Sequence, residues 1–262
     1  MGKEVTTTKN ERQDEIRAML LTKPVITYAE LEAMYPDLSA MTLRRDIDAI
    51  EASGDAIKVR GGARSMKFIT NPTDDSISAR MTENVQSKDA IAHRAASFLE
   101  TGRSIFIDSG TTLEHIVPYV PNERFIFTTT NPAAAIELSK IGQPVVNLVG
   151  GHLDSDYMAI YGPQAMRCIA ETNIDIAFMS ASGISAKSGC TGGNASECEL
   201  KSAVIRKADK IVMLIDSSKL GRSMPYTFCD ISWIDVIISD AALPADIVAL
   251  AKDAGTEIIT VQ

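Results

Sequence analysis

From residue 125 onward, short apolar runs and helix-length stretches take turns, and no other feature of the chain restricts its fold as tightly. The apolar runs cover 125–127, 145–149, 174–179, 211–215 and 236–238, with a last short one at 257–261. Helical stretches lie between them, near 132–140, 162–170, 197–207 and 244–252. Short runs without polar alternation read as strands buried on both faces, and the intervening helices supply the crossovers that parallel strands need. The expected architecture is α/β: a mostly parallel sheet covered by helices, with ligands bound beyond the C-terminal ends of the strands.

A strand of the same kind, Ile105-Phe-Ile107, stops at Asp108-Ser109-Gly110-Thr111-Thr112. Glu114 to Val117 are expected to form the first turns of a following helix. The backbone N–H groups of 109–112 would then sit at a helix N-terminus, which holds an anion without Lys or Arg. Gly110 permits a positive φ and a close approach, and the hydroxyls of Ser109, Thr111 and Thr112 can donate to phosphate oxygens. An ordinary turn with Thr111 or Thr112 as N-cap fits the same residues. Recurrence favours a site: Thr128-Thr-Thr130-Asn131, Gly150-Gly151, Ser180-Ala-Ser182-Gly183 and Asp216-Ser-Ser-Lys219 each follow an apolar run. Hydroxyls, glycines, Asn131, Asp216 and the point charge of Lys219 would together suit a phosphorylated polyol. Singly, Asn131 or Gly150 is better explained as loop chemistry. Lys201, on a helix, is by default a solvated charge, although its helix can point it toward the pocket.

The 262 residues suffice for one sizeable core and a small extra domain. Residues 1–67 hold 11 basic and 11 acidic residues and the remainder hold 15 and 23, so the entire net charge of −8 lies in the C-terminal part. This leaves the N-terminal part open to nucleic acid. The expected division is a first domain at 1–67, a linker at 68–79 around Asn71-Pro-Thr-Asp-Asp-Ser76, and a second domain at 80–262. Lys3 to Arg12 lack the apolar core of a signal peptide and no later run approaches membrane-spanning length, which points to the cytoplasm and to no membrane partner. Cys168, Cys190, Cys198 and Cys229 show no C-x-x-C spacing, and His93, His115 and His152 are scattered. Reduced thiols are expected, and neither a metal nor a cofactor.

In the first domain, Ile16, Met19 and Leu20 make one face of an amphipathic helix over 11–21, which Pro24 closes. Thr27 is the N-cap of a short helix at 28–34, 35–38 turn, and Ser39 caps a helix at 40–51 with Leu43, Ile47 and Ile50 facing inward. Thr42, Arg44 and Arg45 remain on or near the outward side of its first turns. Helix, short helix, turn and helix, with hydroxyls and guanidiniums opening the last one, is how a helix-turn-helix meets DNA. Residues 56–64 then form a hairpin or wing bearing Lys58, Arg60, Gly61, Gly62 and Arg64. A small helical bundle, with Arg44-Arg45-Asp46 as surface ion pairs, is the plainer reading.

The run Ser39-x-x-Thr42-Leu-Arg-Arg-Asp-Ile-x-x-Ile-Glu-x-x-Gly54, ending in Gly61-Gly62-Ala63, resembles the winged helix-turn-helix of the deoxyribose-operon-repressor (DeoR) family of bacterial transcription regulators. In that family the wing commonly carries Arg and His where this chain has Lys58 and Arg60, and a larger apolar residue in place of Ala56. The second domain is similar to the family's effector domain, whose fold is like ribose-5-phosphate isomerase. Its matching residues are Asp108 to Thr112, Thr130-Asn131, Gly150-Gly151, Ala177 to Ile184, Gly189-x-Thr191, Glu199-x-Lys201 and Asp216 to Lys219. The resemblance implies a homo-oligomer (dimer or tetramer), usually a repressor, that binds double-stranded operator DNA and responds to a phosphorylated sugar or related metabolite. The rival reading is a sugar-phosphate isomerase with a helical appendage, which needs a carboxylate base and an oxyanion partner. Where the isomerase has an acidic cluster, this chain has Ser180, Ala181 and Ser182. Many family members carry Asp at about Ser182. No catalytic residue is therefore assigned. A DNA-packaging protein is excluded by the acidic second domain.

Overall fold

The computed structural model describes residues 8–23, 25–66, 77–155 and 157–261. The chain divides into two compact units, Met1–Asp74 and Asp75–Gln262. The expected linker at 68–79 lies outside the described residues except for 77–79, which belong to a helix.

The first unit comprises α1 (Lys9–Thr22), β1 (Val25–Thr27), α2 (Tyr28–Met34), α3 (Ala40–Ala52), β2 (Ala56–Val59) and β3 (Gly62–Ser65). Each helix starts where a hydroxyl can satisfy an orphan N–H. Thr8 with Glu11 and Thr27 with Glu30 form capping boxes, and the Ser39 hydroxyl accepts from the Thr42 N–H. Ile16, Leu20, Leu31, Leu43, Ile47 and Ile50 close the helices over Ile26, Ala56 and Ala63 of the strands. The sequence pattern assigns residues 25 and 26 to no element. They are the third strand of the wing sheet, in the order β1-β3-β2 and wholly antiparallel. Gly62 makes that pairing possible, because a Cβ there would lie 2.0 Å from the Ile26 carbonyl oxygen.

The second unit opens with α4 (Ile77–Thr82) and α5 (Val85–Ala96) and then alternates as expected. Its strands are β4 (Ser104–Ile107), β5 (Ile126–Thr129), β6 (Val145–Leu148), β9 (Ile174–Ser180), β12 (Ala208–Ile215), β14 (Val236–Ser239) and β15 (Glu257–Thr260). They form one parallel sheet in the order β15-β14-β12-β9-β4-β5-β6. The remaining helices are α6 (Thr111–Glu114), α7 (Pro132–Ser139), α8 (Pro163–Glu171), α9 (Ala195–Lys207) and α10 (Ala245–Ala254). Strand residues of alternate parity bury against opposite layers. Ile105, Ile107, Phe127, Phe178 and Leu214 pack under α5, α6 and α7, whereas Phe106, Ala177, Met179 and Met213 pack under α8, α9 and α10. Burial on both faces is why these strands read as unbroken apolar runs. The antiparallel pieces escape that reading because they are only three or four residues long: the hairpin β7 (His152–Asp154) and β8 (Ala159–Tyr161), and a small sheet of β10 (Gly183–Ser185), β11 (Gly189–Gly192) and β13 (Tyr226–Cys229). Among the described residues no helix is long and apolar enough to cross a membrane.

Candidate functional site

Strand order decides where a site forms. The chain enters the sheet at β4, adds β5 and β6 on one side, then returns to lay β9, β12, β14 and β15 on the other. The switch point is therefore between β4 and β9, where the diverging connections leave a crevice at the C-terminal ends. A cleft of about 610 Å³, open solvent included, occupies this place. Ser109, Gly110, Thr111 and Thr112 line it from β4, Ser180, Ala181 and Ser182 from β9, and Asp216, Ser218 and Lys219 from β12. Glu197 and Lys201 of α9 form the floor, and Arg80, Glu83, Asn84 and Lys88 of the opening helices form a wall, with Tyr157 beside them.

The turn after β4 differs from expectation. The helix begins with Gly110 as N-cap, without a side-chain cap, and lasts only four residues before a 3-10 turn at Val117–Tyr119. Neither Thr111 nor Thr112 is the cap, and one turn carries little of a helix dipole. Glycine is demanded at 110, where φ is 134° and a Cβ would lie 2.8 Å from the Ser180 hydroxyl. The Ser180 Oγ donates to the Ser109 carbonyl at 3.2 Å, and its N–H donates to Asp108 Oδ2 at 3.1 Å, tying two strand ends together.

Beneath this turn, the Lys201 Nζ donates to Asp108 Oδ2 at 2.7 Å and to the Ser180 carbonyl at 3.0 Å, and pairs with Glu197 Oε1 at 3.1 Å. Lys201 and Asp108 are 4% and 1% exposed, so the default of a solvated lysine is corrected. Burial opposes the ammonium charge, but the carboxylates of Asp108 and Glu197 outweigh it and raise the Lys201 pKa. Burial also raises the Asp108 carboxyl, with Lys201 pulling the other way. Two carboxylates around one ammonium keep Lys201 charged at neutral pH.

The remaining cationic groups of the cleft lie on its other side. Lys88 is 4% exposed, and its Nζ donates to the Arg80 carbonyl. Burial lowers its pKa, Asp216 opposes this, and Lys219 and Arg80 reinforce it. Sequence reading misses Arg80, Asn84 and Lys88, whose fourth-residue spacing is not that of one helical face because Asn84 interrupts the chain between α4 and α5. Asp216 accepts from the Ser218 N–H at 3.1 Å and from Asn84 Nδ2 at 3.2 Å.

Several expected effector residues are not brought to the cleft. Thr130, Asn131, Gly150 and Gly151 follow β5 and β6, on the far side of the switch point. Asn131 is committed to its helix: its Oδ1 accepts from the N–H groups of Ala133 and Ala134, and its Nδ2 donates to Glu114 at 3.0 Å. Gly183 opens β10 and lies close against the Arg222 backbone.

In the first unit, Arg44, Arg45, Lys58, Arg60, Gly61 and Arg64 are exposed, Thr42 is half-buried, and Gly62 is buried under β1. Asp46 is not a surface partner of the arginines. It is 1% exposed and accepts from Arg12 Nε at 2.7 Å and Gln13 Nε2 at 2.9 Å, pinning α1 to α3. Arg44 lies 5.5 Å from the centre of the Tyr28 ring, and Lys58 is paired with Asp48.

The fold defines a class: a helix-turn-helix unit joined in one chain to an α/β unit built on a parallel sheet. Residues 12–68 match the family model of the DeoR-like helix-turn-helix domain, and residues 83–241 match that of the DeoR C terminal sensor domain. The chain belongs to the DeoR family of transcriptional regulators. The HTH-type transcriptional regulator GlpR of Haloferax volcanii is 33% identical over 222 residues, covering 84% of this chain and 86% of its own. The putative aga operon transcriptional repressor of Escherichia coli O157:H7 is 28% identical over 261 residues, 99% of this chain and 97% of its own. Among solved structures, ribose 5-phosphate isomerase A of Methanocaldococcus jannaschii is similar over 53% of this chain and 55% of its own, at 20% identity and a TM-score of 0.39.

Proposed function

We propose that this chain is a transcriptional repressor of a sugar or polyol catabolic operon, acting as a homo-oligomer whose grip on double-stranded operator DNA changes when a phosphorylated sugar occupies the second unit. The observation that carries the reading is the cleft at the switch point, where Lys88, Lys219 and Arg80 lie with the Ser109–Thr112 hydroxyls. Ammonium and guanidinium groups beside short hydroxyl side chains satisfy a phosphate, and Asp216 with the Ser180 and Ser182 hydroxyls suits the polyol end. Ser39, Thr42, Arg44, Arg45, Lys58, Arg60, Gly61, Gly62 and Arg64 are the proposed DNA contacts, with Lys58 exchanging Asp48 for a phosphate.

The same geometry argues against turnover. Isomerisation through an enediol needs a carboxylate free to take a proton from carbon. Asp108 and Glu197 are both bound to Lys201, and Asp216 accepts from Ser218 and Asn84, which leaves the exposed Glu83 of the cleft wall as the carboxylate whose replacement by Gln tests for turnover. The chain is therefore read as a regulator without catalytic residues.

The test is fluorescence anisotropy of the purified full chain on labelled DNA from upstream of its own gene, at fixed salt, with ribose 5-phosphate, fructose 1-phosphate and glycerol 3-phosphate added in turn. A site-selective complex whose affinity shifts with one of these compounds is expected. Binding no tighter than to random DNA, together with isomerase turnover of one compound, overturns the reading.

A further inference from the structure

We propose that Asn84 is the hinge of a clasp through which the cleft acts on the segment leading to the DNA-binding unit. The inference rests on the cleft being the effector site. Asn84 separates α4 from α5 in the left-handed conformation, φ 52° and ψ 33°, which asparagine tolerates better than other non-glycine residues. It stands at the N-cap of α5, yet its side chain makes no cap hydrogen bond. The amide donates instead to Asp216, at 3.2 Å. A second contact spans the same hinge, since Lys88, one turn into α5, donates from its Nζ to the carbonyl of Arg80 in α4.

Both contacts are of a kind that a phosphorylated sugar displaces. A phosphate oxygen is a stronger partner for the Lys88 ammonium than the neutral Arg80 carbonyl, so a phosphate at Lys88 draws Nζ toward itself and weakens the bond to Arg80. A sugar hydroxyl can donate to Asp216 in place of the Asn84 amide. Occupancy then weakens both bonds of the clasp, and α4 is the first helix of the second unit. Because the ligand meets the closed and open clasp with different affinity, it shifts their populations and with them the DNA affinity. Asn84 is on this account a positioning residue, which sets the response without being needed for occupancy.

The test separates the two quantities in the full chain. Asn84→Gly keeps the left-handed backbone and deletes the bond to Asp216. For whichever compound of the anisotropy panel binds the wild type, its dissociation constant is expected to tighten, because Asp216 no longer has the Asn84 amide to release. The ratio of DNA affinities with and without it should fall from a coupling on the order of tenfold toward one. Hydrogen exchange of the wild type supplies an arm that needs no variant: saturation with the same compound should speed exchange across 80–88. A wild-type coupling ratio in Asn84→Gly, or unchanged exchange across 80–88 on saturation, overturns the hinge while leaving the sensor reading intact. Absence of binding by every compound overturns the sensor reading, and the hinge with it.

Discussion

Lys201 and Asp46 share one feature, a charge that sequence reading leaves in solvent and the fold buries. Each lies within its helix's apolar stripe. Asp46 stands between Leu43 and Ile47, and Lys201 between Cys198 and Val204 or Ile205, so the pattern holds the information once a charge is allowed into a stripe. Removing one member of a buried pair leaves the other uncompensated. Asp46→Ala should therefore cost the first unit about 3–5 kcal/mol in denaturant unfolding. Lys201→Met isolates the Asp108 carboxyl, whose pKa burial already raises from an ordinary 3.8. The native state then binds a proton that the unfolded chain has lost, so the destabilisation should grow as pH rises above about 4 and shrink as it falls back; a pH-independent loss in thermal melts would contradict it. Lys88 gives the opposite sign for binding. Its pKa is lowered by burial, and only the ammonium pairs with phosphate, so effector affinity should decline as pH rises toward 10.5, beginning below that value. Calorimetric titrations across that range, with Lys88→Met as the control lacking the step, measure it.

The elements show which local signals carry over and which do not. Caps are legible: Thr27 and Ser39 do what hydroxyls at helix starts do. Asn131 is also a cap, and the sequence pattern assigns it to the effector because a polar residue at a strand end serves either role. Asn131→Ala tests the difference. It should cost about 1 kcal/mol of stability, as a lost N-cap does, with effector affinity unchanged. A large loss of affinity at unchanged stability would place Asn131 back in the site. The wing depends on a contact that no periodicity reveals. With a Cβ at 62 driven onto the Ile26 carbonyl, Gly62→Val should break the β1–β3 pairing, lower the unfolding midpoint of the first unit and weaken DNA binding, with the proposed effector affinity of the second unit unchanged.

The proposed DNA contacts and the proposed effector cleft fall in separate compact units, and substitutions should divide accordingly. Arg44→Ala with Arg45→Ala is expected to abolish operator binding, flatten the salt dependence of the residual affinity and leave effector binding intact. Lys219→Ala should leave operator binding intact and remove the response to effector. Retained operator affinity in the double variant would exclude α3 as the element that reads DNA. Net charge follows the same division, since the excess of −8 lies wholly beyond residue 67 and keeps the larger unit from competing for the phosphate backbone.

The alternation of apolar runs and helices is enough to specify a parallel α/β sheet, because strands buried on both faces must be apolar throughout. Capping hydroxyls and the spacing of Leu43, Ile47 and Ile50 likewise specify the helices of the first unit, since both are local consequences of helix geometry, whereas the helix-turn-helix reading comes from the resemblance of the run from Ser39 to Gly54. Strand order is not specified. Nothing in the alternation says that β9 returns to pair with β4 on the side opposite β5, and that one topological step divides the polar loops. It gathers those after β4, β9 and β12 into the cleft and leaves Thr130, Asn131, Gly150 and Gly151 outside it. The burial of Lys201 and Lys88 belongs to the same step, because a charge leaves water only when distant strands and helices close around it with partners.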